Sequence, residues 1–223
     1  MRWLFFLSMA WIFFKYIQNF LGRNKRKIKT SAAKSKPIRP YPEFNLAPLP
    51  DEIIILDLET TGLNPARDEI IEIGAIRFDK NSDTHKSFQC LVKPENKIPE
   101  KITEITHITQ EMVEAKGIPL HEAMTNFQEF IEDLQLVTFN ADFDMGFIHN
   151  SNQKCNLPKI ENKVVCALKM AKKAFPGRKS YRLISLAKDG GFASTNHHRA
   201  LADCEMALNV YASAVTVLRS ATP

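Results

Sequence analysis

The run Ile53-Ile54-Ile55-Leu56, followed at once by Asp57-Leu58-Glu59-Thr60-Thr61-Gly62-Leu63, constrains this chain more than any other segment. Consecutive apolar, mostly β-branched residues predict a central strand of a buried sheet over about 52–58. Side chains at i and i+2 of a strand share a face, so Asp57 and Glu59 project together. Two adjacent carboxylates repel, and burying them without a counter-charge is expensive. A hard divalent cation with oxygen ligands, Mg²⁺ or Mn²⁺, removes that conflict. Two carboxylates that face solvent at the strand's end remove it as well, so the pair alone leaves both readings open.

Charge is divided unevenly along the 223 residues. Residues 1–43 hold ten Lys/Arg against a single acidic residue, Glu43, whereas 44–223 hold twenty basic and twenty-four acidic residues. The part able to fold is therefore mildly acidic, and the pI near 9.0 says little about nucleic-acid binding. Cys90, Cys155, Cys166 and Cys204 have neither metal-ligand spacing nor the density of a disulfide framework, and they read as reduced thiols.

Residues 3–14, WLFFLSMAWIFF, form a dense apolar run that extends through Tyr16, Ile17, Phe20 and Leu21. That length is near the minimum for a bilayer span, and Trp3, Trp11 and Tyr16 suit an interface. No small-residue cleavage site follows, which argues against a removed signal peptide. Residues 1–22 are thus expected to anchor the chain to a membrane. The basic cluster Arg23, Lys25, Arg26, Lys27, Lys29 would keep the rest of the chain on the cytoplasmic face. Residues 23–50 read as a basic, then proline-rich linker, and 51–219 as the folded domain.

Within that domain the periodicities predict strands near 52–58, 69–78 and 86–93, the last two joined by the turn Asp79–Asp83 as an antiparallel meander. Helices are expected near 109–115, 119–133, 142–152, 166–174, 180–188 and 199–218, with a short strand over 136–139. Three strands followed by alternating helix and strand make an α/β fold: a mixed sheet, with parallel strands added to the meander and helices on both faces.

Further acidic and imidazole positions join the first pair. Asn140-Ala141-Asp142-Phe143-Asp144 falls at a strand-to-helix junction, where α/β sheets form ligand crevices. His197-His198-Arg199-Ala200-Leu201-Ala202-Asp203 opens the last helix. His198 and Asp203 are five residues apart, about 140° around one helix, so they converge only if His198 precedes the helix. Singly, each residue has an ordinary explanation: Asp142 as a helix N-cap, His198 as a surface residue, Asp203 as the partner of Arg199.

Taken in order, Asp-x-Glu, Asn-Ala-x-Phe-Asp and His-x-x-x-x-Asp resemble the DEDDh exonucleases. This ribonuclease H-like group includes the proofreading epsilon subunit of bacterial DNA polymerase III. The resemblance spans about 51–218 and takes in Glu69-Ile70-Ile71-Glu72-Ile73-Gly74-Ala75 and Ser180-Tyr181-Arg182-Leu183-Ile184-Ser185-Leu186-Ala187. It implies that Asp57, Glu59, Asp144 and Asp203 bind two Mg²⁺ or Mn²⁺ ions, Asp57 shared between them, and that His198 is the general base. It also implies that Thr60, Thr61, Gly62 and Leu63 line the terminal-nucleotide site, supported by Asn140 and Phe143. Such chemistry suits these residue types: two ions can activate water and steady the leaving oxygen, and an imidazole can accept the water proton.

Two departures concern affinity rather than chemistry. Phe139 stands where many members have His, and Thr106-His107 stands where many have His-Gly. The resemblance implies a 3′–5′ exonuclease acting on a single-stranded 3′ end, DNA before RNA, and releasing nucleoside monophosphates. Lys172, Lys173, Arg178, Lys179 and Arg182 are candidate phosphate contacts, or equally a solvated surface. With no long tail after the last helix, a stand-alone enzyme is expected, without a stable polymerase partner. The rival readings are an exoribonuclease of short RNA, a two-metal endonuclease, and a catalytically idle, membrane-tethered nucleic-acid-binding module.

Overall fold

The computed structural model describes residues 46–194 and 197–221; the expected anchor and most of the linker lie outside them. Strands β1 (Glu52–Thr60), β2 (Ile70–Asp79) and β3 (Lys86–Leu91) come first, then helices α1 (Glu100–Thr106), α2 (Gln110–Lys116) and α3 (Leu120–Ile131). Strand β4 (Leu136–Thr138), helix α4 (Ala141–Lys154), strand β5 (Val164–Cys166) and helices α5 (Ala167–Ala174), α6 (Leu183–Gly190) and α7 (Ala200–Ser220) complete the fold. The sheet order is β3-β2-β1-β4-β5. β1, β2 and β3 form the antiparallel meander, and β4 and β5 add parallel strands beyond β1.

β1 lies at the centre of the sheet because both of its faces are apolar. Ile53 and Ile55 pack with Phe78, Phe175, Ala171 of α5, Leu186 of α6 and Val210 of α7. Ile54, Leu56 and Leu58 pack on the opposite face with Phe127 of α3 and Phe147 and Ile148 of α4. Each such fully buried aliphatic contributes about 1.5–3 kcal/mol, which is why a four-residue apolar run specifies the core strand. Helices therefore cover both faces, as the pattern predicts.

α7 is long and apolar enough to cross a membrane, with a mean hydropathy of 1.2, but most of it is buried against the sheet and it serves as the core helix. Its amino-terminal end meets β2 so closely that only glycine fits there. A Cβ on Gly74 would lie 2.6 Å from the Ala200 Cβ and 2.7 Å from the Ala200 carbonyl carbon. Gly74→Val is expected to push the start of α7 off the sheet, at a cost of roughly 1–3 kcal/mol or more. A lower unfolding midpoint and a lost nuclease activity would both report it; wild-type values for both would contradict this contact.

Two elements escape the periodicity. α1 is a single seven-residue stretch whose N-cap is Pro99, with no side-chain cap, and which stops at His107 in a left-handed conformation (φ 58°). β5 has three residues, too few to show a period of two. The helix expected from 180 begins at Leu183 instead, because the Ser180 hydroxyl accepts from the Arg182 amide (3.3 Å) and bonds Ser185 (3.0 Å), holding a turn ahead of it.

Candidate active site

Asp57 and Glu59 continue the Ile53–Ile55 face of β1 and so point under the start of α7, paired across the sheet with Gly74 and Glu72. The register shifts after Glu59, which ends regular pairing where the site begins. Glu59 is buried and Asp57 half-buried.

Asp144 lies in the first turn of α4 and is 3% exposed. The buried Thr138 hydroxyl, at the end of β4, donates to its Oδ2. This fixes the carboxylate beside the end of β1, where the Leu58 amide also bonds it. Asp142, two residues earlier, is exposed and paired with Lys169 at 2.9 Å, so the second acid of the motif is the one that enters the site.

His198 and Asp203 meet because the helix begins between them. His198 takes a left-handed conformation (φ 65°), and its amide donates to Asp203 Oδ1 at 3.3 Å. Asp203 sits in the first turn of α7, its own amide bonded to the Arg199 carbonyl (3.1 Å), not its side chain to the Arg199 guanidinium. Ligand atoms of Glu59, His198 and Asp203 lie within 4.8 Å of one another.

The electrostatics of the cluster have one dominant cause. Burial, followed by the charges of Asp144, Asp203 and Glu59, holds the Asp57 carboxyl well above the usual carboxylate range. Burial and then Asp203 push Glu59 up to about 8. Burial raises Asp144 to about 7 against the pull of its hydrogen bonds from Thr138 and backbone amides, and raises Asp203 to about 6. His198 moves the other way: burial, then the neighbouring imidazoles of His197 and His107, lower it and keep it neutral. Four carboxyls that resist ionisation together, with an imidazole free to accept a proton, form a donor set suited to divalent cations.

These shifts have a stability consequence whose sign is definite. Carboxyls with raised native pKa values bind more protons folded than unfolded, so between about pH 4 and 8 metal-free stability falls as pH rises. Differential scanning calorimetry in EDTA should show the unfolding midpoint dropping from pH 5.5 to 8.5. Added Mn²⁺ should reverse the drop, with a gain that grows with pH; at a hundred-fold excess over Kd it is about 2.7 kcal/mol, roughly 5–10 °C. A midpoint that ignores both pH and Mn²⁺ would contradict the arrangement.

Thr60 ends β1, and Thr61 to Leu63 form the loop that follows it. The Thr60 hydroxyl donates to the Gly62 carbonyl (2.6 Å), the Thr61 hydroxyl accepts from the Glu69 amide (2.9 Å), and Leu63 is 83% exposed. Asn140 is exposed ahead of α4, and Phe143 packs at a tilt against Phe147 with ring centroids 4.9 Å apart. Of the five candidate phosphate contacts, Lys172, Lys173, Lys179 and Arg182 are exposed. Arg178 is not: it is buried, paired with Asp189 at 2.5 Å and placed over the Phe175 ring, so it is a structural residue.

Two residues at the site went unassigned in the sequence. Glu72 is fully buried opposite Glu59, and Arg199 reaches back from the start of α7 to pair with it at 2.6 Å. The available signal was a charged residue inside the apolar stretch of β2, which must find a partner when buried.

The fold and this cluster place the chain in the DEDD class of exonucleases, a class that uses divalent metals. The chain belongs to the RNase T exonuclease family, whose profile matches residues 54–211. It is 38% identical over 155 residues to the PolC-type DNA polymerase III of Clostridium perfringens, covering 70% of this chain but 10% of that protein. It is 34% identical over 158 residues to the DNA polymerase III subunit epsilon of Aquifex aeolicus, covering 71% of this chain and 77% of that one. The chain thus spans about a tenth of the PolC-type polymerases and most of an epsilon subunit. Among solved structures, E. coli exonuclease I in complex with a dA16 oligonucleotide superposes with a TM-score of 0.65 at 21% identity, over 77% of this chain and 42% of that one.

Proposed function

We propose that this chain hydrolyses phosphodiester bonds from single-stranded 3′ ends, DNA in preference to RNA, releasing nucleoside monophosphates. The observation that carries the proposal is the convergence of Glu59, His198 and Asp203 ligand atoms within 4.8 Å beside Asp57 and Asp144. The preference for DNA is supported by the polymerase-associated relatives and by the oligodeoxynucleotide bound to the matched exonuclease I.

Asp57, Glu59, Asp144 and Asp203 are the residues that would hold two Mg²⁺ or Mn²⁺ ions, with Asp57 shared. When bound, the ions supply the charge that activates water and stabilises the leaving oxygen. The residues do the rest. His198, neutral at physiological pH, takes the proton of the attacking water. Thr60–Leu63 would receive the terminal nucleotide, with exposed Leu63 as an apolar surface for its base and Asn140 and Phe143 as supporting residues. Residues 1–22 would tether this activity to the cytoplasmic face of a membrane, a placement supported by their apolar run and the basic cluster that follows.

The test is the 223-residue chain with Mn²⁺ on matched DNA and RNA strands, with free and blocked 3′ ends and as circles. Mononucleotide release from free-ended DNA is expected, with slower release from RNA. RNA cleaved faster than DNA would make it an exoribonuclease, cut circles would make it an endonuclease, and no cleavage of any strand would leave a binding module.

A further inference from the structure

Glu59 and Glu72 face each other across β1 and β2, both buried, yet they are furnished in opposite ways. Glu72 Oε1 accepts from Gln89 Nε2 (2.9 Å) and Arg199 Nη2 (2.6 Å). Its Oε2 accepts from Arg199 Nε (3.2 Å) and the Ala200 amide (3.0 Å). A carboxylate offers about four lone-pair sites, and here all are filled, which leaves none for a cation or a proton. Glu59 instead turns its carboxylate toward His198 and Asp203. The two-pronged Arg199–Glu72 pairing is directional as well as charged, so it fixes where Arg199 can sit. Arg199 lies between His198, whose backbone is left-handed, and α7; its carbonyl receives the Asp203 amide.

We propose that Glu72 and Arg199 are positioning residues: a saturated carboxylate–guanidinium clamp that pins the start of α7 to β2, so that His198 and Asp203 meet Glu59. The same clamp neutralises Glu72, which would otherwise be a fifth carboxylate competing for the cations of the site. Its kinetic readouts rest on the exonuclease reading above, whereas its metal-binding readout does not.

The test uses the full chain carrying Arg199→Ala, Arg199→Lys or Glu72→Gln, with Mn²⁺ affinity measured by calorimetry and kcat and KM measured on a single-stranded oligonucleotide. For Arg199→Ala, Mn²⁺ affinity and kcat should each fall by about 10–100-fold, the range for residues that orient ligands, with KM little changed. Because the Arg199 side chain is 35% exposed, added guanidinium at millimolar, non-denaturing levels should restore kcat several-fold in Arg199→Ala. It should not do so in Glu72→Gln, whose amide cannot accept four donors. Wild-type Mn²⁺ affinity and kcat in folded Arg199→Ala and Glu72→Gln, with only a lower unfolding midpoint, would reduce the clamp to a stability element and overturn the proposal. If Arg199→Ala does not fold, Arg199→Lys decides: lysine keeps the charge but not the fork, so its affinity and kcat should fall between the others, and wild-type values would overturn the clamp. Should the wild-type chain bind Mn²⁺ yet hydrolyse nothing, the exonuclease reading fails while the comparison of Mn²⁺ affinities still tests the clamp.

Discussion

Asp57→Asn is expected to abolish hydrolysis and, in the absence of metal, to make the protein harder to unfold. Asp57 lies near Asp144, Asp203, Glu59 and Glu72, and its ionisation is opposed by burial and by all four carboxyl groups. An amide of the same shape removes the opposed charge. In EDTA at pH 8.5 the unfolding midpoint should rise by a few degrees, on the order of 1 kcal/mol, in line with the gain often seen when a poorly compensated buried charge is replaced. The gain should shrink as pH falls and disappear only near about pH 4, where the carboxyl is protonated in the unfolded chain as well as in the fold. With Mn²⁺ the order should reverse, since the wild type gains binding energy that a variant lacking one of the clustered carboxylates would not. Activity should drop to background. A variant that loses midpoint in EDTA at pH 8.5, or that still degrades single strands, would show that Asp57 is an ordinary structural acid.

The second large effect belongs to His198. Alanine in its place leaves a left-handed residue without the imidazole, so a loss of activity could come from the backbone; asparagine tolerates φ near 65° better and cannot act as a base. His198→Asn should therefore keep the unfolding midpoint and lower kcat by about 10²–10⁴-fold, the usual weight of a general base. The pH profile separates this from lost metal binding. A lowered imidazole pKa means the base stays competent somewhat below the ordinary histidine range and fails as pH drops further, giving the wild type an acid limb there at saturating Mn²⁺. That limb should be missing from the variant's residual activity. Wild-type kcat in His198→Asn would remove His198 from the reaction.

Much of this was legible before any coordinates. The alternation along Ile53–Glu59 placed two carboxylates on one face, and the strand-to-helix junction at Asn140 located the third. The demand that His198 precede the helix was met by its left-handed turn. What stayed hidden depends on pairings between distant segments. The Glu72 role needs the β1–β2 register and a partner 127 residues away, neither of which leaves a local pattern. Gly74 reads as a weak strand residue until Ala200 is seen against it. α1, without a side-chain cap, and β5 carry no local sequence signal, and a basic residue in a basic stretch such as Arg178 gives no sign that its charge is turned inward to Asp189.

The seating of α7 on Gly74 has a kinetic side. β1 carries the first carboxylates near residue 57, but the last acid and the base arrive only with residues 198–203, more than a hundred positions later. Contacts so far apart in sequence close late in folding, because the intervening loop must be ordered first. Intermediates with the sheet and α4 formed would then hold three of the four carboxylates and no base, and so should be inert toward nucleic acid. On the proposed reading, catalysis would switch on only when the helix docks, which would make regained hydrolysis during refolding a clock for that single step.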